Sequence, residues 1–364
     1  AVSKRVVTEE EQKQLESLPV EIKAKAAVLM EVSSGKVLME YNPDSKLFPA
    51  SVTKIMTMLL VSEAINSKKI TLADKVTCSQ NASTKGGSQI WLEPNEEMTV
   101  NDLLKATAIG SANDAATLLG EYISGSEEAF INLMNERAKE LGMNNTHFEN
   151  ATGLDDTTDT HLTTARDIGI MSVELMKHDL ITDYTTVWMD SLRNGETELV
   201  NTNKLVRFYS GCTGLKTGTT SKAGCCISAS AKRDNLHLVA VVMGSENSND
   251  RFETAKTLLN WGFSNYKLYE LTPDKNDFAK IPVDASNEMD DKIMDLMEPY
   301  DYKVLEEFQE KYMSGFLSEV FNEPSAKLEP RAKAKAQNDS EALLNETLSG
   351  YYSIRPHHKN LTLD

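Results

Sequence analysis

The sequence of 364 residues has no apolar run approaching the length of about eighteen that carries a helix across a bilayer. Its opening stretch, "AVSKRVVTEEEQKQ", is polar throughout and lacks a signal-peptide core, which fits a cytoplasmic chain or a secreted one whose signal has been removed. Positive charge is short: 38 Lys and Arg stand against 55 Asp and Glu, a formal net charge of -17. Such a chain has no general attraction for nucleic acid or for an anionic lipid surface, so any cationic site has to be local. The six histidines are scattered without an HExxH, and Cys78, Cys212, Cys225 and Cys226 form no CxxC. Neither pattern supports zinc, and no metal or other cofactor is expected. The cysteines read most simply as small buried hydrophobes. Cys225 and Cys226 are adjacent and poorly placed to bridge each other, while pairings with Cys212 or Cys78 stay open.

Glycine is the next scarcity. From residue 265 onward only Gly315 and Gly350 occur, among long acidic stretches. This change of texture puts a boundary near 265–275 and divides the chain into a polar helical arm (1–22), a main domain (23–267) and a C-terminal accessory region (268–364). In the last, "DYKVLEEFQEKYMSGFLSEVF" spaces Leu305, Phe308, Tyr312 and Phe316 as a helix would, and "LEPRAKAKAQNDSE" reads as a solvated helix or linker. "ALLNETLSGYYSIRPHHKNL" has the look of a weak surface-seeking helix, with a soluble or docking tail as the simpler reading.

What is present is a chain with 40% apolar and 26% charged residues, enough for a substantial core. Apolar runs at Ala26–Val32 and Val37–Tyr41 around "SSGK" predict a hairpin, as do those around "KRDN" in "CCISASAKRDNLHLVAVVMG". Between them the spacing is helical. "SVTKIMTMLLVSEAINS" sets Ile55, Leu59, Ser62 and Ala64 on or near one face, and "TVNDLLKATAIGSANDAATLLGEYI" is broken at "GSAND", with Thr99 or Asn101 as its cap. "TTARDIGIMSVELMKHD" and "RFETAKTLLNWGF" predict further helices. Strands at both ends with helices between them point to an α+β fold.

Three short motifs carry chemistry. In "PASVTKIMTMLL", Ser51 and Lys54 lie three apart, so a helical turn brings them together. Serine is a weak nucleophile until a neighbour takes its proton, and lysine does so only when desolvation or another cation lowers its pKa. The surrounding "IMTMLL" supplies an apolar bed. Taken alone, the pair also reads as a helix cap beside a surface charge, and Ser33/Lys36 and Ser264/Lys267 share the spacing. "IGSANDAA" adds Ser111 and Asn113 at a helix break, a spacing repeated at Ser79/Asn81 and Ser245/Asn247. "GLKTGTT" adds Lys216-Thr217-Gly218, the single such triplet, just before a β-run whose edge a ligand can approach at the glycine. The ordered trio is far more specific than its parts, and it is the signature of penicillin-binding proteins and class A β-lactamases.

Beyond the trio, "KAAVLMEVSSGKVLMEYNPDSKLFPASVTKIMT", "GGSQIWLEPNEEMTVNDLLKATAIGSANDAA", "FENATGLDD", "HLTTARDIG", "GLKTGTTSKAGCCISASAKRDN" and "RFETAKTLLNWGF" resemble, in order, the blocks of the D-alanyl-D-alanine carboxypeptidases, the low-molecular-mass penicillin-binding proteins. The resemblance runs from about 23 to 267 and implies a β-lactamase/transpeptidase-like sheet flanked by helices. It implies Ser51 as acylated nucleophile, Lys54 as its base, Ser111 as proton shuttle to the leaving D-alanine and Asn113 as holder of the peptide amide. Lys216 would sustain the cationic field, Thr217 and Thr219 would face the substrate carboxylate beside Gly218, and the Thr219 and Ser51 N–H groups would form the oxyanion hole. Arg251 would help recognise the carboxylate, with a helix-terminal surface charge as its other reading. The implied partners are a peptidoglycan stem peptide ending in D-Ala-D-Ala and β-lactams as covalent inhibitors. The implied location is extracytoplasmic, in the bacterial envelope, with the signal removed and a peripheral membrane contact through the C-terminal region as one option.

Two rivals remain. A class A β-lactamase needs a glutamate for deacylation in a Glu-x-x-x-Asn segment, whereas here Glu149 directly precedes Asn150. A binding-only muropeptide sensor is the rival from another class, and the intact trio argues against it. The family's second domain is small and β-rich, while residues 268–364 lack turn glycines and are partly helical in period.

Overall fold

The computed structural model describes residues 18–270 and 352–356. Along the chain come β1 (Ala26–Glu31), β2 (Val37–Tyr41), a 3-10 turn over Ala50–Thr53, α1 (Lys54–Asn66), β3 (Lys75–Thr77) and β4 (Glu97–Thr99). There follow α2 (Val100–Lys105), α3 (Asn113–Ser124), α4 (Glu127–Glu140), α5 (Ala165–Leu175), β5 (Met189–Leu192) and β6 (Thr197–Val200). The series closes with β7 (Cys212–Thr220), β8 (Gly224–Arg233), β9 (Leu236–Ser245), α6 (Ser248–Asn265), β10 (Tyr266–Glu270) and β11 (Tyr352–Pro356), with helices of about one turn between.

Five strands form an antiparallel sheet in the order β2-β1-β9-β8-β7, so the two predicted hairpins meet where β1 pairs with β9 from Ala26↔Met243 to Glu31↔Leu238. β1 is buried at every position because helices cover both faces of the sheet. A side chain at Gly169 of α5 would strike Met30 and Val28, whereas one at Gly262 of α6 would strike Leu238 and Leu29. Alternate residues of β1 therefore serve opposite cores. At its end Glu31, fully buried, closes the "SSGK" turn by accepting from the Ser33 and Ser34 N–H groups and the Ser34 hydroxyl. The architecture is α+β, a five-stranded antiparallel sheet packed between helices.

α1 departs from the one-sided pattern read from its sequence. Lys54 through Ser62 are all buried, because the helix runs through the middle of the helical cluster against α3 and α5. A helix enclosed all round has no polar stripe to display. Thr99, not Asn101, caps α2, its hydroxyl accepting from the Asp102 N–H; Asn101 instead accepts from the Tyr184 hydroxyl. Past α2 the chain widens into a π-type turn over Ala106–Gly110 and breaks at Ser111, whose φ is +62°.

The chain divides into two compact units, one of Ala1–Lys267 with Pro356–Asp364 and one of Leu268–Arg355. β10 and β11 form a separate two-stranded sheet. The "YSIRP" stretch, inside the segment for which a surface-seeking helix is the lesser reading beside a soluble or docking tail, is extended, because its backbone groups pair across to another strand. The expected arm over most of 1–22, the helix around Leu305–Phe316 and the linker after it lie outside the described residues. Among the described residues no helix is long and apolar enough to cross a membrane.

Candidate active site

Ser51 sits in the 3-10 turn that feeds α1, and Lys54 is the first residue of α1 proper. The ammonium-bearing end of Lys54 is wholly enclosed, which excludes the surface-charge reading. Its Nζ stands 3.0 Å from Ser51 Oγ, 2.5 Å from Asn113 Oδ1 and 2.9 Å from the Thr152 carbonyl oxygen. The last two groups only accept, so they use two N–H bonds of an amine. A neutral Lys54 then has its lone pair left for the serine proton. Burial, with help from the charge of Lys216 and against that of Asp114, holds the Lys54 pKa well below its ordinary 10.5.

Asn113 opens α3 and ties three segments together. Its Oδ1 takes Lys54, its Nδ2 donates to the Gly86 carbonyl (2.6 Å) and its backbone N–H donates to the Ser88 carbonyl (2.7 Å). Ser111 lies two residues earlier, 4% exposed, in the left-handed bend that interrupts the helices.

The Lys-Thr-Gly triplet lies within β7 rather than ahead of a strand. Among the described residues β7 pairs only with β8 and is the sheet edge, with Lys216↔Ser228, Thr217↔Ile227 and Gly218↔Cys226 in register. It passes so close to the nucleophile turn that a side chain at Gly218 would come within 2.8 Å of the Ser51 nitrogen and 2.9 Å of the Pro49 oxygen. Lys216 is fully buried, its Nζ donates to the Thr217 carbonyl, and burial with the nearby charge of Arg251 pulls its pKa down to about 7. Thr219 is exposed at the end of the edge.

Arg251 is 6% exposed and is no surface charge. Its Nη1 donates to the Gly218 carbonyl (3.0 Å), the Thr219 hydroxyl (3.0 Å) and the Cys226 carbonyl (3.2 Å), and its Nη2 donates to Ser248 Oγ. The guanidinium thus grips the back of the strand and reaches the cleft through Thr219.

Several contributors carry no signature in the sequence. Thr202 receives the Thr217 hydroxyl at 2.7 Å. Thr152 accepts from Lys54, and Thr57 of α1 donates to the Ala151 carbonyl, so the 150–153 segment lies along the nucleophile helix. Gly153, at φ +86°, passes the turn where a side chain would fall 1.8 Å from the Ala50 oxygen. Only its glycine identity hints at this. Glu149 is engaged elsewhere, accepting from the Thr160 hydroxyl. All four cysteines are free, and burial first raises the thiols of Cys78, Cys212 and Cys226 to about 11. Among the described residues no three His, Cys, Asp or Glu side chains converge as metal ligands.

The model of the D-alanyl-D-alanine carboxypeptidase family matches residues 9–247. The chain is 47% identical over 263 residues to the D-alanyl-D-alanine carboxypeptidase DacF of Bacillus subtilis, covering 71% of this chain and 67% of that one. It is 38% identical to DacC of Escherichia coli, covering 70% and 64%. The chain thus spans about two thirds of the length of these curated relatives. Among solved structures it resembles penicillin binding protein 6B of Escherichia coli, with a TM-score of 0.66 at 34% identity over 70% of this chain and 81% of that one. It also resembles the ampicillin-bound Penicillin-Binding Protein D2 of Listeria monocytogenes, with a TM-score of 0.62 at 30% identity over 68% and 100%. The chain belongs to the D-alanyl-D-alanine carboxypeptidase family of penicillin-binding serine peptidases.

Proposed function

We propose that this protein removes the terminal D-alanine from peptidoglycan stem peptides through an acyl-enzyme on Ser51, and that β-lactams acylate the same serine. The buried Lys54 amine, with two acceptors on its N–H bonds and Ser51 Oγ 3.0 Å away, is the observation that carries this reading. Lys54 takes the hydroxyl proton as Ser51 Oγ attacks the penultimate D-alanine carbonyl carbon. The developing oxyanion is received by the N–H groups of Ser51 and Thr219. Ser111 passes its proton to the leaving nitrogen and is reprotonated by Lys54, the C–N bond breaks and D-alanine departs. Water then hydrolyses the ester and the proton returns to Ser51.

Recognition follows from the edge strand. Thr219 offers its hydroxyl to the terminal carboxylate, Thr217 joins it by turning its hydroxyl hydrogen from Thr202, Gly218 leaves room beside them, and Lys216 supplies positive charge from below. Arg251 holds the Thr219 hydroxyl as acceptor, so its hydrogen is left to donate, to Cys225 Sγ at 3.9 Å in the free protein and to the carboxylate when substrate is bound. Asn113 meets the substrate amide while holding Lys54. A penicilloyl-enzyme persists because Glu149 is committed to Thr160 and directly precedes Asn150, the wrong spacing for the deacylating glutamate of a class A β-lactamase. This favours inhibition by β-lactams over resistance to them.

The substrate places the work in the cell envelope. A peripheral membrane contact through residues 268–364 belongs to the same reading and is tested by sedimentation of the full chain with vesicles. The main test is D-alanine release from diacyl-L-Lys-D-Ala-D-Ala with Ser51→Ala as blank. Release lost in the variant supports the mechanism, and equal release by both proteins sinks it. No release by either would favour the muropeptide-binding alternative.

A further inference from the structure

The turn that carries Ser51 is strained. Ala50, immediately before the nucleophile, is a buried non-glycine residue at φ +50°, in the left-handed region that a β-carbon disfavours. Such a conformation persists only when its surroundings over-determine it. On one side is β7 at Gly218, and on the other is Gly153, packed against the Ala50 carbonyl. Ala50 and Val52 also pack into the core, and a polar hold is added at Thr53, the last residue of the turn and the neighbour of Lys54.

Thr53 Oγ1 lies 2.9 Å from His161 Nε2, and both residues are buried, at 0% and 1% exposed. The other ring nitrogen, Nδ1, receives the Glu149 backbone N–H at 3.1 Å. A backbone N–H can only donate, so Nδ1 carries no proton. A neutral imidazole then has its proton on Nε2, and the bond runs from His161 Nε2–H to the Thr53 hydroxyl. Phe148 packs edge-on against the ring at 5.8 Å and fixes its plane.

We infer that His161 is a positioning residue for acyl transfer: held as the neutral Nε2–H tautomer by the Glu149 N–H, it anchors Thr53 and so keeps the strained Ala50–Thr53 turn with Ser51 Oγ in reach of Lys54. This rests on the assignment of Ser51 as nucleophile. His161 touches no reacting atom. Its protonated form would turn an Nδ1–H toward the Glu149 N–H, donor against donor, so the anchor exists only with a neutral ring.

The two ring nitrogens can be replaced separately. In His161→Gln the side-chain amide reaches the position of Nε2 and can donate to Thr53. In His161→Asn it reaches only the position of Nδ1 and accepts from Glu149 without touching Thr53. Thr53→Val removes the acceptor while keeping the volume. Acylation by a fluorescent penicillin, kcat and KM for D-alanine release, and melting temperature are measured on each full-length variant. His161→Asn and Thr53→Val are expected to lose at least tenfold in acylation and in kcat, with KM changed less than about threefold. His161→Gln is expected to acylate at least tenfold faster than His161→Asn.

Equal acylation by the Gln and Asn variants overturns the proposal, whether or not both melt lower than the parent, because a purely structural histidine would not distinguish the two ends of its ring. Parent-like acylation by Thr53→Val also overturns it. If instead the parent itself neither takes up penicillin at Ser51 nor releases D-alanine, the Ser51 assignment fails, and that result is distinct from an active parent with indifferent variants.

Discussion

Lys54 Nζ approaches Ser51 Oγ to 3.0 Å from a position wholly shielded from water. Desolvation and a second buried lysine keep its proton loosely held, which is what a base working on a serine hydroxyl requires. Lys54→Met keeps much of the packing and removes the lone pair. Penicillin acylation is expected to fall by about 10²–10⁴, the usual range for a lost general base. The check is a time course of labelling at Ser51, and a loss below tenfold would argue that another group takes the proton.

The two lysines set opposite limbs of the pH profile. Lys54 works when neutral, so its contribution is present above its lowered pKa and is lost as pH falls through it. Lys216 works when charged, with a folded pKa of about 7, so its contribution is present below that value and is lost as pH rises past it. The profile of kcat/KM, which reports the free enzyme, is expected to fall on the alkaline side for the parent. In Lys216→Arg, whose guanidinium stays charged, that limb should move to higher pH. An unmoved limb would assign it to another group.

Two glycines separate fold from chemistry. Gly153→Ala puts a side chain 1.8 Å from the Ala50 oxygen at a positive φ, and is expected to destabilise the domain by more than about 2 kcal/mol. Gly218→Ala crowds the Ser51 nitrogen from an edge strand that can shift outward. It should melt close to the parent and lose about a hundredfold in acylation, the scale of one oxyanion donor. Melting curves and acylation rates on both variants check this, and similar stability losses would refute the distinction.

His161 also links the site to acid stability. Burial, partly offset by Glu149, lowers its pKa from 6.5 to about 4. As pH falls from 6.5 to 4 the unfolded chain takes up this proton while the folded chain does not. The folded state therefore loses up to about 3 kcal/mol over that window. His237, also lowered to about 4 by burial, adds a similar slope. His161→Gln is expected to lose less stability than the parent between pH 6.5 and 4, as measured by urea unfolding. Identical pH slopes would show that His161 is not neutral in the folded protein.

Thr202 receives the Thr217 hydroxyl and so aims it. Thr202→Val is expected to raise KM for the carboxylate-bearing substrate severalfold with kcat little changed. A matching fall in kcat would place Thr202 in the chemistry instead.

Periodicity and short motifs determined much of this protein. The apolar runs around "SSGK" and "KRDN" are enough to predict two hairpins, and desolvation by "IMTMLL" is already implied beside Lys54, because these effects act between residues close in the chain. Which hairpins meet was decided by the β1–β9 register, which depends on helices covering both faces. α1 misled as an amphipathic helix because enclosure on every side is a property of its neighbours, not of its own spacing. Arg251 reads from the sequence as a helper in carboxylate recognition, and only packing shows that its donors meet Gly218, Thr219 and Cys226, so that it reaches the cleft through Thr219. Thr152 and His161 lie in the blocks "FENATGLDD" and "HLTTARDIG" and Thr202 in none, yet nothing singles any of them out, since a threonine or a histidine acquires a role only from what the fold sets within 3 Å or so of it. The sequence determined which groups can react, through their own chemistry. The tertiary structure decided which of them are neutral, aimed and dry, because pKa and geometry come from residues far apart along the chain.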